Sequence, residues 1–599
     1  MDQSSLANQI LNNSLILEKI FRNLQLKHHL AIVNLCKEFR ETLVHFVWRS
    51  SCKQLKITAR GDHYFVSLNE TEICCMKDQV AREFLKLNRY NVQTLVLASC
   101  SNVILMQEIE RYENLTHLNM RQCRLSNNNL ETIATNCQGL NRLILDRCCC
   151  VHCSDELVLG QELKVETLAR MASLRELRID NRYSIKMNYE VLNDIGWKLS
   201  LSKLFLRASL FYDGGQNLED VNNSKFAYSN LQHLDIGRFS DRSAWLLFVQ
   251  LHLPQLGNLQ SLSIFIDLAN CVLITDATLT AIQESCPRLQ SLSFEQCKFR
   301  TNKFILPPSL LHLSLIWCRG VTWQNFIQML HEYPLQSFET INSSYDGHEI
   351  DLVYPSNTLT NLTVETSIIQ GFEEILANGN YTFPQVTTLN WLNSSEGSGD
   401  TYPIQNNFNL SKIFPQLEEL HLDQAYLPLK EFQQMSYLQI LRISMFTHMT
   451  WSYMLQLLQS SILQQLIIDL PPAFSIFLCP IPSTKPDLHL TSTRTLPANN
   501  LVFLQIPLQL FRISLDFWLD LYSKNKRMKL KVYTRQATTI FKRTFFKILL
   551  NHPTLVGSLK RINICNCKVE CSELRKSFTD VVHEYEFECD SKGHYFFII

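Results

Sequence analysis

Glycine is scarce in this chain: 16 of 599 residues, about 2.7%, against an average near 7%. Loops that cradle phosphates need glycine to bring backbone N–H groups close to the anion. Neither a dinucleotide fingerprint nor a P-loop occurs, which argues against nucleotide-dependent catalysis. Net charge is absent too, with 56 Lys plus Arg against 56 Asp plus Glu, so no overall field draws the chain to nucleic acid or membrane, and neither is expected as a partner. No uninterrupted apolar run approaches the ~18 residues that span a bilayer. Met1 to Ile10 lack the basic-then-apolar layout of a secretory signal. The chain is therefore expected in the cytoplasm or nucleus, where Asn361-Leu362-Thr363 is no glycosylation site and Arg60-Gly61-Asp62 no adhesion motif. There is no His-Glu-x-x-His helix and no nucleophile elbow, so no catalytic residue, cofactor or enzymatic activity is expected.

What the chain has in abundance is a returning pattern: Leu, two variable residues, Leu, one variable residue, Leu. Leu115, Leu118 and Met120 show it, followed by Cys123; Leu289, Leu292 and Phe294 repeat it, followed by Cys297. The middle positions run Leu95, Leu118, Leu143, Leu177, Leu204, Leu234, Leu262, Leu292 and Leu313, then Phe338, Leu362, Leu389, Leu420, Leu441 and Leu466. Leu55 and Ile57 form an earlier, imperfect copy. One such unit cannot bury its own apolar side chains, whereas stacked copies can. Between strands the period changes from two to about 3.6. Thr275 or Asp276 can cap a helix carrying Leu279 and Ile282; Asn127 or Asn128 one carrying Leu130 and Ile133; Thr322 one carrying Phe326 and Leu330. The expected fold class is thus α/β: a horseshoe solenoid with a parallel sheet on the concave side and helices on the convex side. Burying three apolar side chains per strand, at about 1.5–3 kcal/mol each, suffices to hold it together.

Twenty cysteines in a reducing compartment are expected as thiols. Cys100, Cys123, Cys148, Cys297, Cys318 and Cys567 each stand three residues after a repeat's last apolar position, where a small side chain can turn inward and bond the backbone. Cys137 and Cys286 occupy a second slot, three residues before the next first Leu. Ile274-Thr275-Asp276 through Cys286-Pro287-Arg288-Leu289 to Cys297 closely resembles the cysteine-containing class of leucine-rich repeat. The run Cys148 to Cys153 with His152 invites a zinc reading, but neighbouring cysteines on a strand alternate faces, and no metal site is expected.

Residues 15 to 49 break the repeat. Leu17, Ile20, Phe21 and Leu24 share a helix face; Leu30 and Val33 follow on a second helix, Cys36, Phe39 and Arg40 on a third segment, and Trp48-Arg49 closes the module. On pattern alone this is either a helical cap for the first repeat or a docking module. Its order resembles the F-box, although the family's opening Leu-Pro is replaced by Asn12-Asn13; Asn12, Asn13 or Ser14 can cap the first helix instead. The resemblance implies a non-catalytic substrate-recognition subunit of a Skp–cullin–F-box ubiquitin ligase, binding a Skp-type adaptor and, through it, cullin and RING subunits. Docking would fall to Leu17, Ile20, Phe21, Leu24, Leu30, Val33, Cys36 and Phe39, some of which must face inward. The alternative is a leucine-rich-repeat scaffold whose N-terminal helices merely cap the stack.

The domains expected are an F-box-like module over 1–50, the repeat solenoid over 51–470, and irregular C-terminal repeats and a cap over 471–599. Strand residues between the buried leucines face the concave space. There Arg121, Arg142, Arg178, Lys203, Phe205 and Arg207 can form a basic track for an acidic or phosphorylated peptide, interrupted by Asp146, Glu176 and Asp180; the other reading is a mixed-charge solvated wall. Beyond 470, Pro-rich 471–486 reads as a loop, and Ile513-Leu515 and Ile562-Ile564-Cys567 as late repeats. Lys524 to Lys531 reads as a strand with a basic face rather than a nuclear import signal. The apolar tail Tyr595 to Ile599 is expected to pack on the last units.

Overall fold

The computed structural model describes residues 13–60, 63–68, 72–100, 112–150, 164–180, 186–211, 228–239, 242–266, 272–346, 357–365, 382–392, 402–403, 410–423, 425–426, 432, 434–444, 457–458, 462–469, 501–507, 529–533, 562–564, 586–589 and 595–598. The loop over 471–486, Ile513-Leu515, Lys524 to Met528, Val151 to Cys153 and Cys567 lie outside them. The chain divides into two compact units, Met1–Leu310 and Leu311–Ile599.

In the first unit, helices α1 (Ser14–Phe21), α2 (Leu26–Ile32), α3 (Lys37–Thr42) and α4 (Trp48–Ser51), with a π-turn at Leu43–Val47, precede the sheet. Strand β1 (Gln54–Arg60) begins the repeats, so the imperfect copy at Leu55 and Ile57 is a true strand. It pairs in parallel with Thr94–Ala98, and the ladder continues through strands starting at His117, Arg142, Glu176, Lys203, His233, Ser261 and Ser291. The middle leucines lie opposite one another: Leu55, Leu95, Leu118, Leu143, Leu177, Leu204, Leu234, Leu262 and Leu292. A one-residue slip would turn every one of them to the other face, so burial dictates the register. The residue before each strand helps: the Ser202 carbonyl accepts from Gln232 N (2.9 Å) and His233 N (3.1 Å), and Gln260 repeats this for Gln290 and Ser291.

The second unit runs the same ladder from His312–Ile316 to Lys529–Tyr533, with Leu313, Phe338, Leu362, Leu389, Leu420, Leu441, Leu466, Leu504 and Leu530 in register. Each unit is thus a leucine-rich-repeat-type α/β stack. Strand positions two and four are buried; one, three and five are largely half-exposed.

Two details explain the cysteines. The residue after many strands adopts left-handed backbone: Ser99, Gln122, Arg147, Gln296, Trp317 and Asn342 have φ between 50° and 58°. That turn points its N–H at the next strand's last carbonyl, as in Ser99 to Arg121 (2.8 Å) and Arg147 to Asp180 (2.8 Å). The next residue then faces inward. Cys123 Sγ donates to the Arg121 carbonyl (3.3 Å) and lies 3.7 Å from that of Leu97; Cys148 reaches Met120 O (3.4 Å) and Cys297 Glu295 O (3.5 Å). Cys137 and Cys286 end helices Asn127–Asn136 and Asp276–Ser285, where burial pushes both thiols up to about 12.

Several expectations are corrected. The helix before Leu130 is capped by neither Asn127 nor Asn128 but by Ser126, in a capping box with Asn129. Thr275 and Thr322 cap as expected. Strand Ile562–Ile564, expected as a late repeat, pairs antiparallel with Tyr595–Ile598, which also pairs with Glu586–Cys589. The tail therefore ends in an antiparallel three-stranded sheet. A hairpin, β2 (His63–Leu68) and β3 (Glu72–Lys77), adds antiparallel to β1. It covers the edge that a stack of parallel strands would otherwise expose.

Candidate functional site

The helical module builds its own small core. Asn13 caps α1, its Oδ1 accepting from Leu15 N (3.1 Å) and Ile16 N (3.2 Å). An asparagine cap thus does what the missing proline would do, satisfying the first free N–H groups. Leu17 and Phe21 are buried, Phe21 edge-to-face on Phe39 at 5.2 Å. Leu26 and Val33 join them. His29, on the same helix face as Leu26 and Val33, is buried and bridges the module. Its Nε2 donates to the Phe21 carbonyl (2.7 Å) and its Nδ1 accepts the Trp48 indole N–H (3.2 Å), an arrangement that requires the neutral Nε2–H tautomer. Trp48 in turn packs edge-to-face on Phe84 of helix α5 (Asp78–Asn88) at 5.1 Å. The Asn91 amide donates to the Val44 carbonyl (2.9 Å), so the module is seated on the first repeat.

The expected docking residues therefore divide. Leu17, Phe21 and Val33 face inward; Leu24, Leu30, Cys36 and Phe39 are half-buried; Ile20 is exposed. Ile20 shares the outside of the module with Leu15, Ile16, Leu35 and Phe46, which helical periodicity alone did not single out. Leu35 and Phe46 lie outside the i, i+3, i+4 stripe that marks the helices' inner faces. Their signal, an apolar residue off the stripe, is available in the sequence.

The open face of the first unit's sheet is the second candidate. Arg142 Nε lies 2.8 Å from Glu176 Oε1, and Arg178 Nη2 donates to Asp180 Oδ2 at 3.1 Å. Arg147, absent from the expected track, reaches Asp146 at 3.6 Å. The Arg178 guanidinium stands over the Phe205 ring at 5.7 Å. Arg121 turns its Nε toward Asn119 Oδ1 (3.4 Å). Arg207 is occupied from two sides, by Asp235 (3.0 Å) and Glu295 (3.1 Å). Burial opposes its charge, but those two carboxylates outweigh the burial and hold its pKa above the usual value. In register, Arg207, Gly237, Phe265 and Glu295 form one row across four strands. Gly237 leaves room for Phe265, whose Cβ would stand 2.6 Å from any Cβ placed there.

Among the described residues no group of His, Cys, Asp and Glu can hold a metal ion, and no helix is long and apolar enough to cross a membrane. No family model matches the chain, and no curated protein matches it. Among solved structures it is similar to the crystal structure of a TLR13–ssRNA13 complex, at 12% identity and a TM-score of 0.32, over 70% of this chain and 58% of that one.

Proposed function

We propose that this chain is the substrate-recognition subunit of a Skp–cullin–F-box ubiquitin ligase, its helical module docking on the Skp-type adaptor and its repeats holding a protein target. The supporting observation is where the module puts its apolar residues. Leu15, Ile16, Ile20, Leu35 and Phe46 are five of the twelve large apolar residues exposed in the described chain, concentrated in residues 13–51. A module that only covered the first repeat would have no use for them on its outside. The chain itself would do no chemistry. It would raise the target lysine's effective concentration near a conjugating enzyme brought by the RING subunit, a proximity effect.

A second reading, a scaffold with a helical cap, is favoured by the seating of Trp48 on Phe84 and of Asn91 on Val44. One titration separates the two. The purified full chain should bind a Skp-type adaptor at micromolar concentration. Ile20→Asp with Leu35→Asp should weaken that binding by about 30-fold or more, the effect of losing an apolar hot spot worth at least ~2 kcal/mol, while leaving the unfolding midpoint unchanged. A folded wild-type chain that ignores the adaptor would leave the scaffold reading.

A further inference from the structure

The open face over strands His117–Arg121, Arg142–Asp146, Glu176–Asp180 and Lys203–Phe211 carries more positive than negative charge, and the excess lies outermost. With the rim residue Arg147, its cations are Arg121, Arg142, Arg147, Arg178, Lys203 and Arg207; its carboxylates are Asp146, Glu176 and Asp180. In each ion pair within this group the cation is more exposed than its anion: Arg142 43% against Glu176 15%, Arg147 72% against Asp146 29%, Arg178 43% against Asp180 18%. The short carboxylates sit down on the sheet, and the long stems carry the guanidinium groups over them. A guanidinium has five N–H donors. Arg142 pairs with Glu176 by charge without a hydrogen bond from its Nε, and Arg178 spends one Nη2 N–H on Asp180, so each keeps donors for a second acceptor. Arg121 and Lys203 form no ion pair with the described residues. Lys203 is also felt by its neighbour: burial first, then Lys203, lowers the pKa of His233 despite Glu176. Arg207 drops out, because Asp235 and Glu295 already hold it.

We infer that Arg121, Arg142, Arg147, Arg178 and Lys203 form a docking surface for an extended, anionic peptide segment, its carboxylate or phosphate oxygens taking the outward N–H groups. Complementary charge selects the occupant: the cations stand outside the carboxylates, so an acidic chain gains charge-assisted bonds and a basic chain meets the guanidinium groups first. The existing pairs hold the guanidinium groups in place, which lowers the ordering cost on binding. The inference deepens the proposed function by naming the target's chemistry, and it fails separately from that reading.

The test is fluorescence anisotropy with the full chain and four labelled probes: a short Asp/Glu-rich peptide, a phosphoserine-containing peptide, a Lys-rich peptide and a single-stranded RNA oligonucleotide. At least one acidic peptide should bind, more weakly as salt rises from about 50 to 200 mM, and the better of the two says whether carboxylate or phosphate is preferred. Arg142→Gln with Arg178→Gln should weaken binding at least about tenfold. Arg121→Gln with Lys203→Gln strands no carboxylate and should do likewise if the first variant misfolds. Arg300→Gln, on an exposed residue outside the surface, should change nothing. Four results overturn the inference: no binding of either acidic peptide, binding that both double variants leave intact, equal binding of the Lys-rich peptide, or tighter binding of RNA. Adaptor binding measured on the same variants should be unchanged, so loss of peptide binding alone leaves the ligase reading standing.

Discussion

Gly237→Ala is a one-atom test of how the first unit's open face is packed. The added Cβ would lie 2.6 Å from Phe265 Cβ and 2.9 Å from its Cδ1, well inside the ~3.5–4.0 Å of an ordinary carbon contact. Phe265 Cβ is fixed to its own backbone, so a rotamer change cannot relieve the nearest approach. Strand His233–Phe239 must move away from Ser261–Ile266, straining the row that joins Arg207 to Glu295. Overpacking of this kind costs about 1–3 kcal/mol. Against it, alanine restricts the unfolded chain more than glycine and returns about 0.4–1 kcal/mol. The net expectation is a loss of about 1–2 kcal/mol, read as a lower urea midpoint at unchanged slope. In a Phe265→Gly background the Cβ, Cγ and Cδ1 that meet the added atom are all gone, and Gly237→Ala should be neutral or slightly stabilising. The double-mutant cycle should therefore return a coupling of about 1–2 kcal/mol. Equal destabilisation in both backgrounds, or none in the wild type, would refute the packing account.

Ser343 fills the inward slot that cysteine fills elsewhere, donating toward the Leu315 and Ile341 carbonyls (3.1 Å each) and accepting from Cys318 N (3.0 Å). Ser343→Ala should cost about 1–3 kcal/mol in urea unfolding and Ser343→Cys markedly less; similar losses for the two would refute the shared role. Glu365 is buried and accepts from Asn342 N–H, yet burial pushes its carboxyl from 4.5 up to about 7. A raised carboxyl binds its proton more tightly folded than unfolded, so stability declines as pH rises from about 4.5 to about 7. Glu365→Gln keeps an acceptor for Asn342 and removes that decline, leaving the variant more stable above pH 7 by about 3 kcal/mol at most; parallel stability profiles from pH 4 to 8 would contradict this.

Where a feature is local, it was legible. The Leu-x-x-Leu-x-Leu spacing placed every repeat strand from Leu95 to Leu466, and the inward cysteine slot followed from counting three residues past it. Leu501, Leu504 and Ile506 keep the same spacing and carry a further strand, Phe503–Pro507, beyond the one at Leu466. The hairpin over 63–77 is signalled only by the alternation of Tyr64, Val66 and Leu68 and by the turn-forming pair Gly61-Asp62 ahead of it in the sequence, a weaker mark than the repeat spacing. A count of cysteines does not reveal Ser343, because the slot requires a small donor rather than cysteine as such.

Periodicity by itself determined that this chain stacks strands and helices, because each side chain's face follows from its place in a 2.0 or 3.6 repeat. It also determined which residues are candidates for the module's helices. Only the tertiary structure decided that Leu17 faces in while Ile20, three residues on, faces out, since that depends on which distant segment arrives to cover each one. In the same way it took the fold to give Arg207 to Asp235 and Glu295, and to leave Arg142 and Arg178 with N–H groups turned outward. The partners of Arg207 and Arg142 stand 28 or more residues away in the chain, and local spacing carries no record of them.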